Sequence, residues 1–90
     1  MNVRHVMQRV PPHLFELVRL LRQELGCNGA AAELGIGNAT VNSICALGLV
    51  QSRTIRKLFV AAARPEVLAL REEFEARVAT RKVNLIQETR

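Results

Sequence analysis

The sequence contains no Asp, Trp or Tyr, and only two Cys and three Phe among its 90 residues. Such sparse aromatic content disfavours a sheet, whereas the abundant Leu, Ala, Glu and Arg favour helices. No apolar run approaches the roughly 18–20 residues that a membrane span needs, and no signal peptide is visible. Cys27 and Cys45 lack a CxxC spacing, which favours reduced thiols over a metal site. We expect an all-α protein of the cytoplasm.

The residues needed for catalysis are also scarce. His5 and His13 lie near the N-terminus without a nearby nucleophile, and neither cysteine has an evident base. The glycines interrupt predicted helices instead of following a strand, so no phosphate-binding loop is expected. The sequence therefore predicts no enzyme, with no catalytic residue, metal, cofactor, small-molecule ligand or membrane contact.

Negative charge is missing from the middle of the chain. The formal net charge is +5, and no acidic residue lies between Glu33 and Glu66. The same window holds Arg53, Arg56, Lys57 and Arg64. A surface without carboxylates suits a polyanion, because carboxylates repel phosphates. The alternative interpretation is a chance enrichment of Ala, Gly and Val in a buried segment.

Apolar periodicity predicts five helices and no firm strand. The helices are expected over about 13–25, 30–34, 39–47, 53–63 and 66–81 or beyond. Gly26, Gly35 and Gly48 would end the first three, and Asn28 and Ser52 would cap the second and fourth. Residues 1–10 fit an edge strand or a helix face equally well. The chain thus divides into an arm (1–12), a compact domain (13–64) and a C-terminal helix (65–90).

The most informative stretch is the segment 31–44. Ala31 is small where two helices must cross closely, and Gly35 falls where a tight turn needs a positive φ. The inward-facing residues would be Leu34, Ile36, Val41 and Ile44. This spacing predicts two helices that cross through a turn of three or four residues.

The segment 28–46 resembles the helix-turn-helix of the phage lambda repressor and Cro class, and the resemblance covers about residues 13–63. Gly48 and a helix opening at Ser52 resemble that class's connection and fourth helix. The class often has Gln at the start of the second helix, where this chain has Cys27-Asn28-Gly29. The stretch is also similar to the C-terminal helix-turn-helix of Fis-type activators, which normally end soon after a more basic recognition helix.

The resemblance implies that the third helix enters the major groove of DNA. The expected base-contacting residues are Asn38, Ala39, Thr40, Asn42 and Ser43, and the expected backbone-contacting residues are Asn28, Arg53, Arg56 and Lys57. Amides, hydroxyls and a methyl group would then read the bases. Two alternatives stay open: Asn38 as an N-cap, and the basic residues as solvated surface charges.

The C-terminal helix carries a second apolar stripe, made of Val67, Leu70, Phe74 and Val78. This stripe could fold back on the domain or meet a second subunit. We favour a homodimer, with Arg77 and Arg81 flanking the seam, because a dimer reads two half-sites of a palindrome.

These features together predict a sequence-specific double-stranded DNA-binding regulator of the small phage or plasmid repressor kind. It would occupy a palindromic operator as a dimer. The alternatives are a helical protein–protein adaptor and an accessory protein of recombination or partition. Salt-dependent binding to a short duplex would separate a DNA-binding protein from an adaptor.

Overall fold

A computed structural model describes the backbone of residues 7–88 and the side chains of residues 7–83. The elements are β1 (Met7–Arg9), α1 (Pro12–Leu34), α2 (Asn38–Leu47), β2 (Leu49–Gln51), α3 (Ser52–Ala62) and α4 (Pro65–Glu88). The described chain is mostly helical, as the sequence predicts. Among the described residues, none of the helices combines the length and the hydropathy that a membrane-spanning segment requires.

Helix α1 contains a sharp kink at Gly26, whose φ of 80° and ψ of 170° lie outside the helical region. The sequence predicts that one helix ends here and a second begins. In the structure helical geometry resumes directly after the kink, so the described residues form four helices and the predicted five are not confirmed. Asn28 lies within α1 and does not cap a separate helix.

A small antiparallel sheet joins the predicted arm to the domain. The sequence left an edge strand open for the arm but predicts no strand at β2. Strand β1 pairs with β2, with Gln8 opposite Val50. The Val10 N–H donates to the Gly48 carbonyl at 2.9 Å, and Val10 and Val50 are both buried. Residues 7–12 are therefore part of the fold, whereas the first six residues of the arm lie outside the described part.

One hydrophobic core receives side chains from all four helices and from the β2 strand. Its largest fully buried members are Leu14, Leu21, Leu34, Ile44, Leu58, Val18, Val41 and Val67. The inward positions predicted around the turn are confirmed: Leu34, Val41 and Ile44 are buried, and Ile36 packs partly buried against the core. Ser52 is the first residue of α3, and the cap position belongs to Gln51.

Helix α4 folds back onto the core of its own protomer. Val67 and Phe74 are 1% and 2% exposed, while Leu70 packs against the core and Val78 is half-buried. Val67 and Phe74 cannot form the predicted subunit seam in this arrangement, because neither reaches the surface. A chain of 90 residues can build only a small core. Folding α4 back adds its apolar stripe to that core.

The far half of α4 is held against α1 by ion pairs to one carboxylate. The Glu24 side chain is 6% exposed and lies 2.8 Å from Arg81 and 3.6 Å from Arg77. Both arginines, predicted to flank a subunit seam, thus bridge two helices of one chain. The hydrogen bond from Arg81 lowers the pKa of Glu24 below its usual 4.5, although burial opposes this effect.

This lowered pKa predicts a loss of stability in acid. A carboxyl group whose pKa is lower in the folded state stabilises the fold above its unfolded pKa, near 4.5. That contribution disappears as the pH falls through the folded pKa. Glu24→Gln should therefore flatten the dependence of unfolding free energy on pH below about 4.5, measured by urea denaturation. Glu16→Gln is the control, since Glu16 makes no ion pair within the described residues, and an equal flattening there would contradict the prediction.

Candidate nucleic-acid interface

The end of α1 and the start of α2 are joined by a turn of three residues, 35–37. Gly35 has a φ of 71° and a ψ of 32°, and its N–H donates to the Ala31 carbonyl at 2.9 Å. The Ile36 N–H bonds to the same carbonyl at 3.1 Å. Ala31 is buried where α1 approaches α2. The structure thus confirms the small residue and the positive φ that the sequence predicts.

Gly35→Ala should destabilise the protein by about 1–2 kcal/mol, because an L side chain is strained in the left-handed region. A new methyl group at Gly35 would meet nothing within 4 Å, so the effect isolates backbone strain. Gly37→Ala is the matched control, since Gly37 has a φ of −80° and only Thr40 Oγ1, at 3.9 Å, near the new methyl. Urea denaturation of both variants checks the prediction, which fails if the two lose the same stability.

The face of α2 opposite the core is exposed and uncharged. Val41 and Ile44 are fully buried and set the rotation of the helix. Of the predicted base-contacting residues, Asn38, Ala39 and Asn42 are exposed, and Thr40 and Ser43 are half-buried. Ala46 is also exposed, four residues after Asn42, and so shares this face. The sequence prediction omitted Ala46, although its spacing from Asn42 indicated the shared face.

Four polar side chains connect the end of α1 to this face. The Asn38 Nδ2 donates to the Asn28 Oδ1. The Cys27 Sγ lies 3.4 Å from the Asn38 carbonyl oxygen and 3.6 Å from the Asn42 Oδ1. The cap position of α2 belongs to Gly37, so Asn38 is not the N-cap. Sequence reasoning gave Cys27 no part in the site, because only the fold brings it beside α2.

These contacts orient the side-chain amides of α2. The Cys27 thiol has one hydrogen and can donate to one of its two acceptors at a time. When it donates to the Asn42 Oδ1, the two N–H donors of Asn42 remain for another partner. Asn38 instead uses one N–H on Asn28 and keeps its Oδ1 as an acceptor. The exposed face of α2 therefore offers both donors and acceptors.

Two of the three basic residues at the start of α3 lie beside the turn. Arg53, Arg56 and Lys57 are all exposed on the first two turns of α3. Arg56 and Lys57 line a groove of about 380 Å³ together with Gly35 and Leu34, and neither makes an ion pair within the described residues. Arg53 is not among the groove residues and donates from Nε to the Gln51 Oε1 at 3.2 Å.

Arg64, which ends the acid-free window, lines the same groove but is tied to the protein. Its Nη1 donates to the Glu33 carbonyl at 3.0 Å, and its Nε lies 3.7 Å from the Glu66 carboxylate. It joins the junction of α3 and α4 to the last turn of α1. Of the three basic residues that line this groove, only Arg56 and Lys57 make no ion pair within the described residues.

No protein family, curated protein or solved structure matches this chain. Within the described residues, no group of three His, Cys, Asp or Glu side chains could hold a metal ion. The features that bear on function are consequently the uncharged face of α2, which follows the turn at 35–37, and the basic residues of α3, two of which line a groove with Gly35 of that turn.

Proposed function

We propose that the protein binds double-stranded DNA sequence-specifically and regulates transcription, acting as a repressor that occupies a palindromic operator as a dimer. Residues 28–46 would act as a helix-turn-helix of the lambda repressor and Cro class, with α2 in the major groove. The observations that support this most directly are the exposed, uncharged polar face of α2 and two cations of α3, Arg56 and Lys57. These two line a groove with Gly35 of the turn before α2 and make no ion pair within the described residues.

The face of α2 has the chemistry to distinguish base pairs. The N–H donors of Asn42 suit the acceptors that purines and thymine present in the major groove, and the methyl groups of Ala39 and Ala46 suit the thymine methyl. The hydroxyls of Thr40 and Ser43 can bond to several bases. Because the Cys27 thiol already contacts the Asn42 amide, that side chain is oriented before DNA arrives, which lowers the entropy cost of binding.

Electrostatic affinity would come from a different element. Arg53, Arg56 and Lys57 stand at the N-terminus of α3, where backbone N–H groups and the helix dipole also favour an anion. Contacts to phosphates fix the register of a protein on the duplex without reading its sequence. Asn28, whose Oδ1 accepts from Asn38, keeps N–H groups for a phosphate. It lies where the repressor class often has Gln.

In vitro selection from a random duplex library tests the proposal. We expect a palindromic consensus whose affinity falls steeply with salt. Asn42→Ala should relax the base preference by about 1–3 kcal/mol at one position of each half-site. Thr80→Ala, an exposed change on α4, is the control and should leave the consensus unaltered. Failure to enrich any sequence would reject the proposal and favour the adaptor alternative.

A further inference from the structure

Helix α4 has a second apolar face, directed away from the core. We name as the outer face the exposed residues Leu68, Ala69, Ala76, Ala79 and Val83. Leu68 and Val83 are 43% and 52% exposed. Ala69, Ala76 and Val83 recur every seven residues, and Ala79 falls between the last two at the spacing of a heptad seam. Glu72 is the charged exception along this line.

A helix that only covers a core needs one apolar stripe. In α4 that requirement is already met by Val67 and Phe74, which are buried in the protomer. The outer face extends along about four turns and is apolar there except at Glu72, which lies at its centre, while other charged residues lie to either side of it. Such a face indicates contact with another helix.

The charges beside the outer face are complementary to a second copy of themselves. Glu75 and Lys82 lie along the same edge, one heptad apart. If two α4 helices pair antiparallel with Ala76 opposite Ala79 of the partner subunit, Glu75 faces Lys82 of the partner subunit. Because the two subunits are related by a two-fold axis, the dimer contains two such ion pairs. Lys82 makes no ion pair within the described residues, and Glu75 pairs only with Arg71 of its own helix at 3.2 Å.

The neighbouring surface extends this contact. Glu75, Ala79 and Lys82 also line a groove of about 750 Å³ between α4 and α1, and the half-buried Leu20 contributes apolar surface from α1. The outer face from 68 to 83 spans about 24 Å at 1.5 Å per residue. A single helix pair of that length buries a small area compared with the roughly 800 Å² per partner of a stable interface. Side chains of the partner subunit that enter the groove would enlarge the buried area.

We propose that the outer face of α4 is the surface on which a second copy of this chain docks, as an antiparallel helix pair with a Glu75–Lys82 bridge on each side of the two-fold axis. The inference rests on the proposed function in one respect, since the dimer would present two copies of α2 to two half-sites. In this proposal the subunit contact is made by residues that reach the surface, and not by Val67 and Phe74, which the fold buries.

Sedimentation equilibrium of the full chain, without DNA, provides the first test. We expect a dimer of the 10.0 kDa chain. Ala76→Arg should reduce it to a monomer, because the central layer has no room for a long charged side chain. Ala32→Arg makes the same substitution at an exposed site on α1 and should leave the dimer intact. A monomeric wild-type chain, or a dimer that survives Ala76→Arg, would overturn the proposal.

A charge exchange tests the antiparallel register. Glu75→Lys and Lys82→Glu each replace two attractive pairs with two repulsive ones, and each should raise the dimer dissociation constant roughly tenfold. Mixing the two variants should restore wild-type affinity, because the heterodimer pairs Lys with Glu at both sites. Variants that remain weak after mixing would refute this register.

The two proposals fail separately. A chain that dimerises as expected but selects no DNA sequence overturns the proposed function and keeps the docking face. A chain that selects a DNA site yet sediments as a monomer overturns the docking face and keeps DNA binding.

Discussion

Replacing Arg56 and Lys57 together with glutamate is expected to lower the affinity for every DNA duplex by on the order of 100-fold or more at low salt. Both side chains are exposed, both line the groove beside Gly35, and neither is engaged in an ion pair within the described residues. Their full charge is therefore available to phosphates. Because phosphate contacts carry no sequence information, operator and scrambled duplexes should weaken in parallel.

The salt dependence gives this prediction a second readout. Losing two phosphate contacts in each subunit of a dimer should make the slope of log affinity against log salt shallower by about 3 to 4. Fluorescence anisotropy between 50 and 200 mM salt, roughly the range over which such contacts weaken most visibly, measures both quantities.

The control is Arg19→Glu/Arg22→Glu, which removes the same charge from exposed positions on α1. If net charge alone attracts DNA, both double variants will lose affinity equally. If the α3 residues touch the backbone, only the α3 variant will change the salt slope. An unchanged slope for that variant would reject the assignment of Arg56 and Lys57.

The positions at which the chain bends could be predicted from the sequence. Gly26, Gly35 and Gly48 follow apolar patterns of helical period, and all three have a positive φ in the structure. Only glycine adopts that conformation without strain, so a glycine at the end of a helical pattern carries strong local information. The buried positions of α2 followed from the same periodicity, because Val41 and Ile44 lie on one side of the helix.

Strand β2 and its pairing with β1 could not be predicted, for a physical reason. Each strand has three residues, which is too short to show a period-two pattern. Strand β1 pairs with β2 about forty residues later in the chain, and no local signal links them. The contact of Cys27 with Asn42 is non-local in the same way, since the turn at Gly35 must form before the two meet.

The role of α4 shows a different limit. An apolar stripe at helical spacing indicates that one side of a helix is buried, but it does not say whether its own chain or a second copy buries it. The fold assigns Val67 and Phe74 to the protomer core. The outer face around Ala76 was less visible in the sequence, because alanine contributes little to an apolar pattern. Small residues nevertheless allow two helices to approach closely.

The largest effect on stability is expected from Leu58→Ala, which should lower the free energy of unfolding by about 2–5 kcal/mol. Leu58 is fully buried on the side of α3 opposite its basic face, so its truncation leaves a cavity beneath Arg56 and Lys57. Leu47→Ala makes the same substitution at a site that is 68% exposed and should cost far less. Urea denaturation at one protein concentration compares them, since the proposed dimerisation would make stability depend on concentration. A total stability of roughly 5–15 kcal/mol leaves the Leu58 variant partly folded, and its folded fraction should still show the wild-type salt slope. A changed slope would mean that Leu58 also positions the phosphate contacts, and equal losses in both leucine variants would contradict the burial of Leu58.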